Sequence, residues 1–243
     1  MIYIESLSKK YKRYVIPINT LKSFIINYRH YKKNTENIEE LEVIRNLDLH
    51  ILPGETFCVI GKNGSGKSTL AKLIAGTVKP TQGNVLVKGK IVPFLELGVA
   101  FSSELSGRDN VILNGVMLGL SRKYLQEKME SIFEFAEIKD FIDTPIKYYS
   151  SGMQMRLAFS VGMHANGDVY IFDEILAVGD ANFQKKCFES FRNLMEQKKT
   201  IILITHDLGM VKKYADRALL LKNGDYILLN KEEVQNITGE DLL

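Results

Sequence analysis

Short runs of Ile, Val, Leu and Phe alternate along this chain with longer stretches whose apolar residues recur every three or four positions. The runs at 55–60, 168–173 and 199–204 read as strands. Their near-continuous apolarity is what a strand covered on both faces requires, whereas a half-exposed strand would alternate. The stretches at 67–76, 107–119, 121–137, 151–165 and 182–197 carry the helical period. Strands alternating with helices predict an α/β fold. No internal repeat and no low-complexity linker interrupts the pattern.

One segment departs from it. Between Lys9 and Lys33 stand Lys9, Lys10, Lys12, Arg13, Lys22, Arg29, Lys32 and Lys33, with no acid among them. Leu21, Phe24, Ile25 and Tyr28 form one apolar helical stripe behind a possible cap at Thr20. An acidic group, Glu36, Glu39, Glu40 and Glu42, follows. A surface helix lying on the neighbouring sheet is one expectation; a helix docking on a membrane surface or a partner is the other.

Composition narrows the classes. The chain has 243 residues, 45% hydrophobic and 25% charged, the balance of a globular protein and not of a disordered or collagen-like one. A net charge of +3 does not point to nucleic acid. Cys58 and Cys187 sit in no metal-spaced cluster, so a reducing compartment and two buried apolar thiols are expected. The start, Met1-Ile2-Tyr3-Ile4-Glu5, has no signal-peptide pattern. No apolar run approaches the roughly 18 residues that span a bilayer.

The chemistry is concentrated at two strand ends. Gly61-Lys62-Asn63-Gly64-Ser65-Gly66-Lys67-Ser68 fits G-x-x-x-x-G-K-[ST] in full, between the strand Thr56–Ile60 and a helix from Thr69. Glycines let such a loop turn its N–H groups inward around phosphate oxygens, and the following helix adds a partial positive charge. Lys67 is the candidate for the β- and γ-phosphates, and Ser68 for Mg²⁺. Asp173 ends a second buried strand, where crevices open in parallel sheets, and is the other Mg²⁺ candidate. Glu174 follows it, placed to deprotonate an attacking water.

Tyr149-Ser150-Ser151-Gly152-Met153-Gln154-Met155-Arg156 opens a predicted helix and resembles the signature motif of the ABC ATPases, usually Leu-Ser-Gly-Gly-Gln. Ser150 and Gly152 match it; Ser151 and Met153 depart from it. Ala177-Val178-Gly179-Asp180 resembles that family's D-loop, and Ile201–Thr205 followed by His206 resembles its switch histidine. Tyr11 matches the aromatic that stacks on adenine, with Tyr14 close enough to take the role. In place of the family's Q-loop glutamine stands Glu96, in the run Lys90–Glu96.

The resemblance implies a single nucleotide-binding domain over 1–243. Its fold class is α/β, a P-loop NTPase with a RecA-like core, an antiparallel β subdomain, and a helical signature subdomain at about 97–165. An N-terminal insertion occupies about 12–42. It implies ATP bound by Tyr11, Gly61–Ser68 and Thr69 of one copy and by Ser150, Ser151, Gly152 and Met153 of another, with Glu174, His206 and Lys67 in the catalytic roles, and Mg²⁺ at Ser68 and Asp173. Asp180 is expected at the dimer interface.

Phe94–Gly98, Glu104–Asn110, Phe141–Pro145 and Val178–Cys187 look like the bacterial ATPases that serve exporters of O-antigen, capsule or teichoic acid. That likeness implies a homodimer on the cytoplasmic face of the membrane, an integral permease, a lipid-linked glycan handled through it, and no nucleic acid. Some members of the group carry a C-terminal carbohydrate-binding domain, which this chain, stopping at Leu243, is expected to lack or to have had removed. The alternatives are the ATPase of another ABC transporter, a soluble ABC-type switch and, more distantly, a P-loop kinase.

Overall fold

The computed structural model describes residues 1–14, 38–95, 98, 100–174, 179–222 and 224–241. The predicted helix behind Thr20, and Glu96, lie outside them.

Five strands run parallel: β3 (Thr56–Gly61), β5 (Ile91–Phe94), β6 (Val169–Asp173), β7 (Thr200–Ile204) and β8 (Arg217–Lys222). With β9 (Asp225–Leu229), which pairs antiparallel to β8, they form one sheet in the order β5-β6-β7-β3-β8-β9. The expected strands at 55–60, 168–173 and 199–204 are β3, β6 and β7, each displaced by a residue at its start. The run at Lys90–Glu96 forms a shorter strand than its length suggested.

Period-2 geometry explains why these strands are apolar throughout. Cys58, Ile60, Phe94, Phe172 and Leu203 face a core completed by α4 (Ser151–Met163) and α5 (Ala181–Glu196). Phe57, Val59, Ile171, Ile202 and Leu219 face another, completed by α1 (Lys67–Ile74). Both cysteines are buried and free, and burial pushes each thiol up to about 12. They pack as small apolar residues, as their lack of metal spacing suggested.

Above α1 lies a three-stranded antiparallel sheet, ordered β2-β1-β4, of β1 (Ile2–Tyr14), β2 (Ile38–Ile51) and β4 (Gln82–Val87). Its inner residues Ile2, Ile4, Leu7, Leu47 and Leu49 join the second core. Residues 12–14 and 38–42, expected within the insertion, continue this ladder. Register sets Lys10 opposite Glu42, Lys12 opposite Glu40 and Arg13 opposite Glu39. The start of the basic segment and Glu39, Glu40 and Glu42 of the acidic group are therefore the two sides of one ladder. Cross-strand pairing of opposite charges favours that register.

A third core belongs to α2 (Gly107–Met117), α3 (Arg122–Ala136) and α4, packed through Val111, Leu125, Ile132, Phe133, Leu157 and Val161. Ser106, Ser121 and Ser150 cap these helices, each accepting a backbone N–H. α2 and α4 each end two residues before the expected position; the chain turns away at Gly119, with φ of 75°, and at the His164 cap. α6 (Leu208–Tyr214) and α7 (Lys231–Asn236) complete the described α-helices.

The loop entering β3 is tied to β8 by a partly buried ion pair. Arg217 donates to Glu55 from Nε at 2.6 Å and Nη2 at 3.0 Å, and also reaches the His50 carbonyl. Glu55 is only 7% exposed, so Arg217→Met leaves its carboxylate with the Leu52 N–H, at 2.7 Å, and little water to replace the guanidinium. The expected loss is about 3 kcal/mol in urea unfolding; a change below about 1 kcal/mol would show that the pair does not brace β3.

Candidate functional site

β3 delivers the chain to the glycine loop at the carboxyl end of the sheet, and α1 leaves it. Gly61 has φ of 147°, and a Cβ there would press on the Leu221 carbonyl and the Ser65 hydroxyl. Gly66, with φ of 105°, forms the N-cap of α1, and a Cβ on it would come 2.7 Å from Val43. Both positions thus need glycine twice over, for backbone conformation and for space. Lys67 folds back along the loop, its Nζ donating to the carbonyls of Gly61 at 2.8 Å and Lys62 at 2.9 Å. The Ser65 hydroxyl is buried with no hydrogen-bond partner, an uncommon condition for a polar atom.

Parallel pairing of β6 with β7, and of β7 with β3, brings Asp173 and Glu174 to the same end of the sheet. Asp173 is hydrogen-bonded to Ser68; burial raises its pKa, and that bond opposes the rise. Burial lowers the Lys67 pKa, against the pull of Glu174 and Asp173. A cavity of about 560 Å³ joins these groups, lined by Tyr11, Val43, Asn63, Gly64, Gly66, Lys67, Ser68, Thr69, Asp173 and Glu174.

Beyond β7, His206 meets Glu174, Nδ1 to Oε1 at 2.7 Å. An ionised carboxylate only accepts, so Nδ1 carries the proton in this contact. Glu174 has φ of 53°, a left-handed conformation rare for a side chain with a Cβ, and its N–H bonds to Ile204 O. Its backbone is therefore anchored to β7, the strand that carries His206.

The structure thus gathers the expected Tyr11, Lys67, Ser68, Thr69, Asp173 and Glu174 around one space, with His206 on its edge. Tyr11 is 39% exposed, with Lys9 Nζ 4.8 Å from its ring centre. The Tyr14 side chain lies outside the described residues. Ser150, Ser151, Gly152 and Met153 are not part of the cavity wall. Ser150 caps α4 by accepting from Met153 N, Ser151 stands exposed, and Met153 turns against the core of α2–α4. Asp180 caps α5, accepting from Asn182 N and Phe183 N at 3.0 Å each. Val43 was not foreseen. It reaches the cavity because β2 passes over the glycine loop, a long-range contact with no local sequence signal.

Residues 44–177 match the family model of the ABC transporters. The chain belongs to that family. It is 40% identical over 225 residues to the O-antigen export system ATP-binding protein of Myxococcus xanthus, covering 92% of this chain and 52% of that one. It is 38% identical over 222 residues to a teichoic acids export ATP-binding protein of Shouchella clausii, covering 91% of this chain and 60% of that one. The chain thus spans between half and two thirds of the length of these relatives. Among solved structures it resembles a dimeric ATP-binding cassette in a post-hydrolysis state with ADP and phosphate. The TM-score is 0.73 at 21% identity, over 95% of this chain and 99% of that one. The fold is that of the ABC ATPase cassettes.

Proposed function

We propose that this chain is the ATP-binding and ATP-hydrolysing subunit of a bacterial exporter of a lipid-linked polysaccharide. It works as a homodimer under an integral permease, on the cytoplasmic face of the membrane. The observation that carries the reading is the convergence of Lys67, Ser68, Asp173 and Glu174 on one cavity, with His206 hydrogen-bonded to the last. The printed names of the relatives support the export class.

In this reading the N–H groups of Gly61–Ser68 hold the phosphates. The Ser65 hydroxyl finds there the partner it lacks, and Lys67 moves from its two loop carbonyls to phosphate oxygens. Tyr11 and Val43 form the wall for the base. Glu174 accepts a proton from the attacking water, and His206 holds that carboxylate in place. A hydroxyl and a carboxylate already in contact, Ser68 and Asp173, are the hard oxygen donors that Mg²⁺ prefers, so the residues fit that ion. When bound, Mg²⁺ would neutralise phosphate charge as the γ-phosphoryl group is transferred.

Among the described residues, the cavity of one copy is open to solvent. The turn at Ser150, exposed at the start of α4 and with room above Gly152, has the N–H groups to cap the γ-phosphate of a second copy. For the permease, α2 offers Leu113, Val116 and Met117 at helical spacing. Their exposures are 38%, 49% and 70%, and they stand beside a cleft lined by Pro93, Leu95 and Leu118. No described helix is long and apolar enough to cross a membrane, which suits a subunit that borrows its membrane part.

Dimer-dependent chemistry has a kinetic signature. Phosphate release from the isolated chain with Mg²⁺ and ATP should rise with about the square of protein concentration, until the dimer saturates. Strictly linear release, with no ATP-induced dimer in sizing, would sink the reading.

A further inference from the structure

We propose that Arg156 is a positioning residue. It fastens the helix beginning at the Ser150 turn to Asp180, the cap of α5, so that the starts of α4 and α5 meet a second copy in fixed register. The inference rests on the dimer reading above, and it concerns how that dimer is made cooperative.

Arg156 lies on α4, in the turn after the cap, with its side chain only 19% exposed. Its Nη1 is 3.5 Å from Glu137 Oε2 and 3.9 Å from Asp180 Oδ2. One guanidinium thus spans the end of α3 and the start of α5. Both carboxylates are themselves held. Glu137 is the C-cap of α3, with φ of 60°, and also receives Lys186 Nζ at 3.3 Å. The same ammonium donates to the Phe135 carbonyl at 2.9 Å. Asp180 uses Oδ1 to cap α5, leaving Oδ2 toward Arg156. The guanidinium also lies 5.9 Å from the centre of the Phe183 ring. Both contacts run from the one Nη1 at ion-pair distance, so the guanidinium acts here as a permanent charge shared by two carboxylates on different elements.

Packing does not need this clamp. Phe135, Phe159 and Phe183 already join α3, α4 and α5 through ring contacts at 5.9 to 6.3 Å. Ion pairs at a partly exposed rim add little to stability. What the charges add, among the described residues, is a fixed relation between two segments also joined by the Phe159–Phe183 ring contact. One carries the Ser150 cap, and the other carries Gly179 and Asp180. A substrate completed by both segments would feel any slack between them.

The test compares Arg156→Met, Arg156→Lys, Glu137→Gln and the double variant Arg156→Met/Glu137→Gln with the unaltered chain. Readouts are steady-state ATP hydrolysis, its Hill coefficient in ATP, ATP affinity of the dilute monomer, and thermal midpoint. Arg156→Met should lower kcat about tenfold, bring the Hill coefficient toward 1 and leave monomer affinity unchanged. Midpoints should stay within a few degrees, and Arg156→Lys should recover part of kcat. The double variant should be no worse than Arg156→Met, because the two groups act as one unit. Unchanged cooperativity in Arg156→Met, or losses that only track a falling midpoint, would overturn the proposal. If the unaltered chain shows no cooperativity and no ATP-dependent dimer, the dimer reading itself has failed, an outcome readily told apart from the first.

Discussion

Glu174→Gln should leave ATP bound, reduce its hydrolysis by about 10³-fold and accumulate a dimer that persists through sizing with Mg²⁺ and ATP. The change disturbs little else. Gln has the shape of Glu, and its Oε1 still accepts from His206 Nδ1, now 2.7 Å away. The backbone N–H at position 174 still bonds to Ile204 O, so the left-handed conformation is kept. What disappears is a group able to take a proton from water. Lys67, Ser68 and the glycine loop, which hold the phosphates in the proposed reading, are untouched. Binding without turnover should therefore lock the interface that hydrolysis opens. Single-turnover phosphate release and sizing decide it. Turnover within about tenfold of the unaltered chain would remove Glu174 from the role of base, and a variant monomeric under saturating ATP would remove the interfacial mechanism.

Much of this site was legible because its parts are local. A fully buried strand, a glycine loop and a helix follow one another without a gap from Thr56 to Ile74, and each demands a recognisable residue type. The strand ending in Asp173 and the strand before His206 were as clear, with four buried residues before the aspartate in one and five buried residues in the other. Helix starts were marked by the serines at 106, 121 and 150, each bonded as a cap.

The hairpin of β1 and β2 was the hard part. Its register shifts between Ile4 and Leu7, Leu7 and Lys9, and Lys9 and Lys10, with Ser6 and Asn46 at positive φ. Each shift resets which side chains face inward, so the period-2 signal never runs long enough to be read. Charge hid it further, since Lys10, Lys12 and Arg13 resemble a loop until Glu42, Glu40 and Glu39 are placed opposite them. Val43 escaped for the same reason. Only the pairing of β2 with β1 sets it beside Gly66 and carries Tyr11 to the same cavity.

Lys67→Ala should abolish measurable turnover and weaken ATP binding by about 10³-fold. The ammonium makes two charge-assisted hydrogen bonds inside the loop, at 2.8 and 2.9 Å. Moving to phosphate oxygens keeps two hydrogen bonds and adds a contact between opposite charges, about 4 kcal/mol near a protein surface, which is that factor. The protonation of Lys67 supplies an independent check. Burial lowers its pKa, while Glu174 and Asp173 raise it in part. The ammonium is the form that binds phosphate, and it is present below that pKa. ATP affinity should therefore fall as pH rises through a value below the ordinary lysine range, and Lys67→Ala should flatten that alkaline limb while lowering the whole curve. Calorimetric titration with ATP across alkaline pH measures both effects at once. A limb that survives in Lys67→Ala would assign the titration to another group, and unchanged affinity would mean that the loop at Gly61 holds the phosphates by its backbone alone.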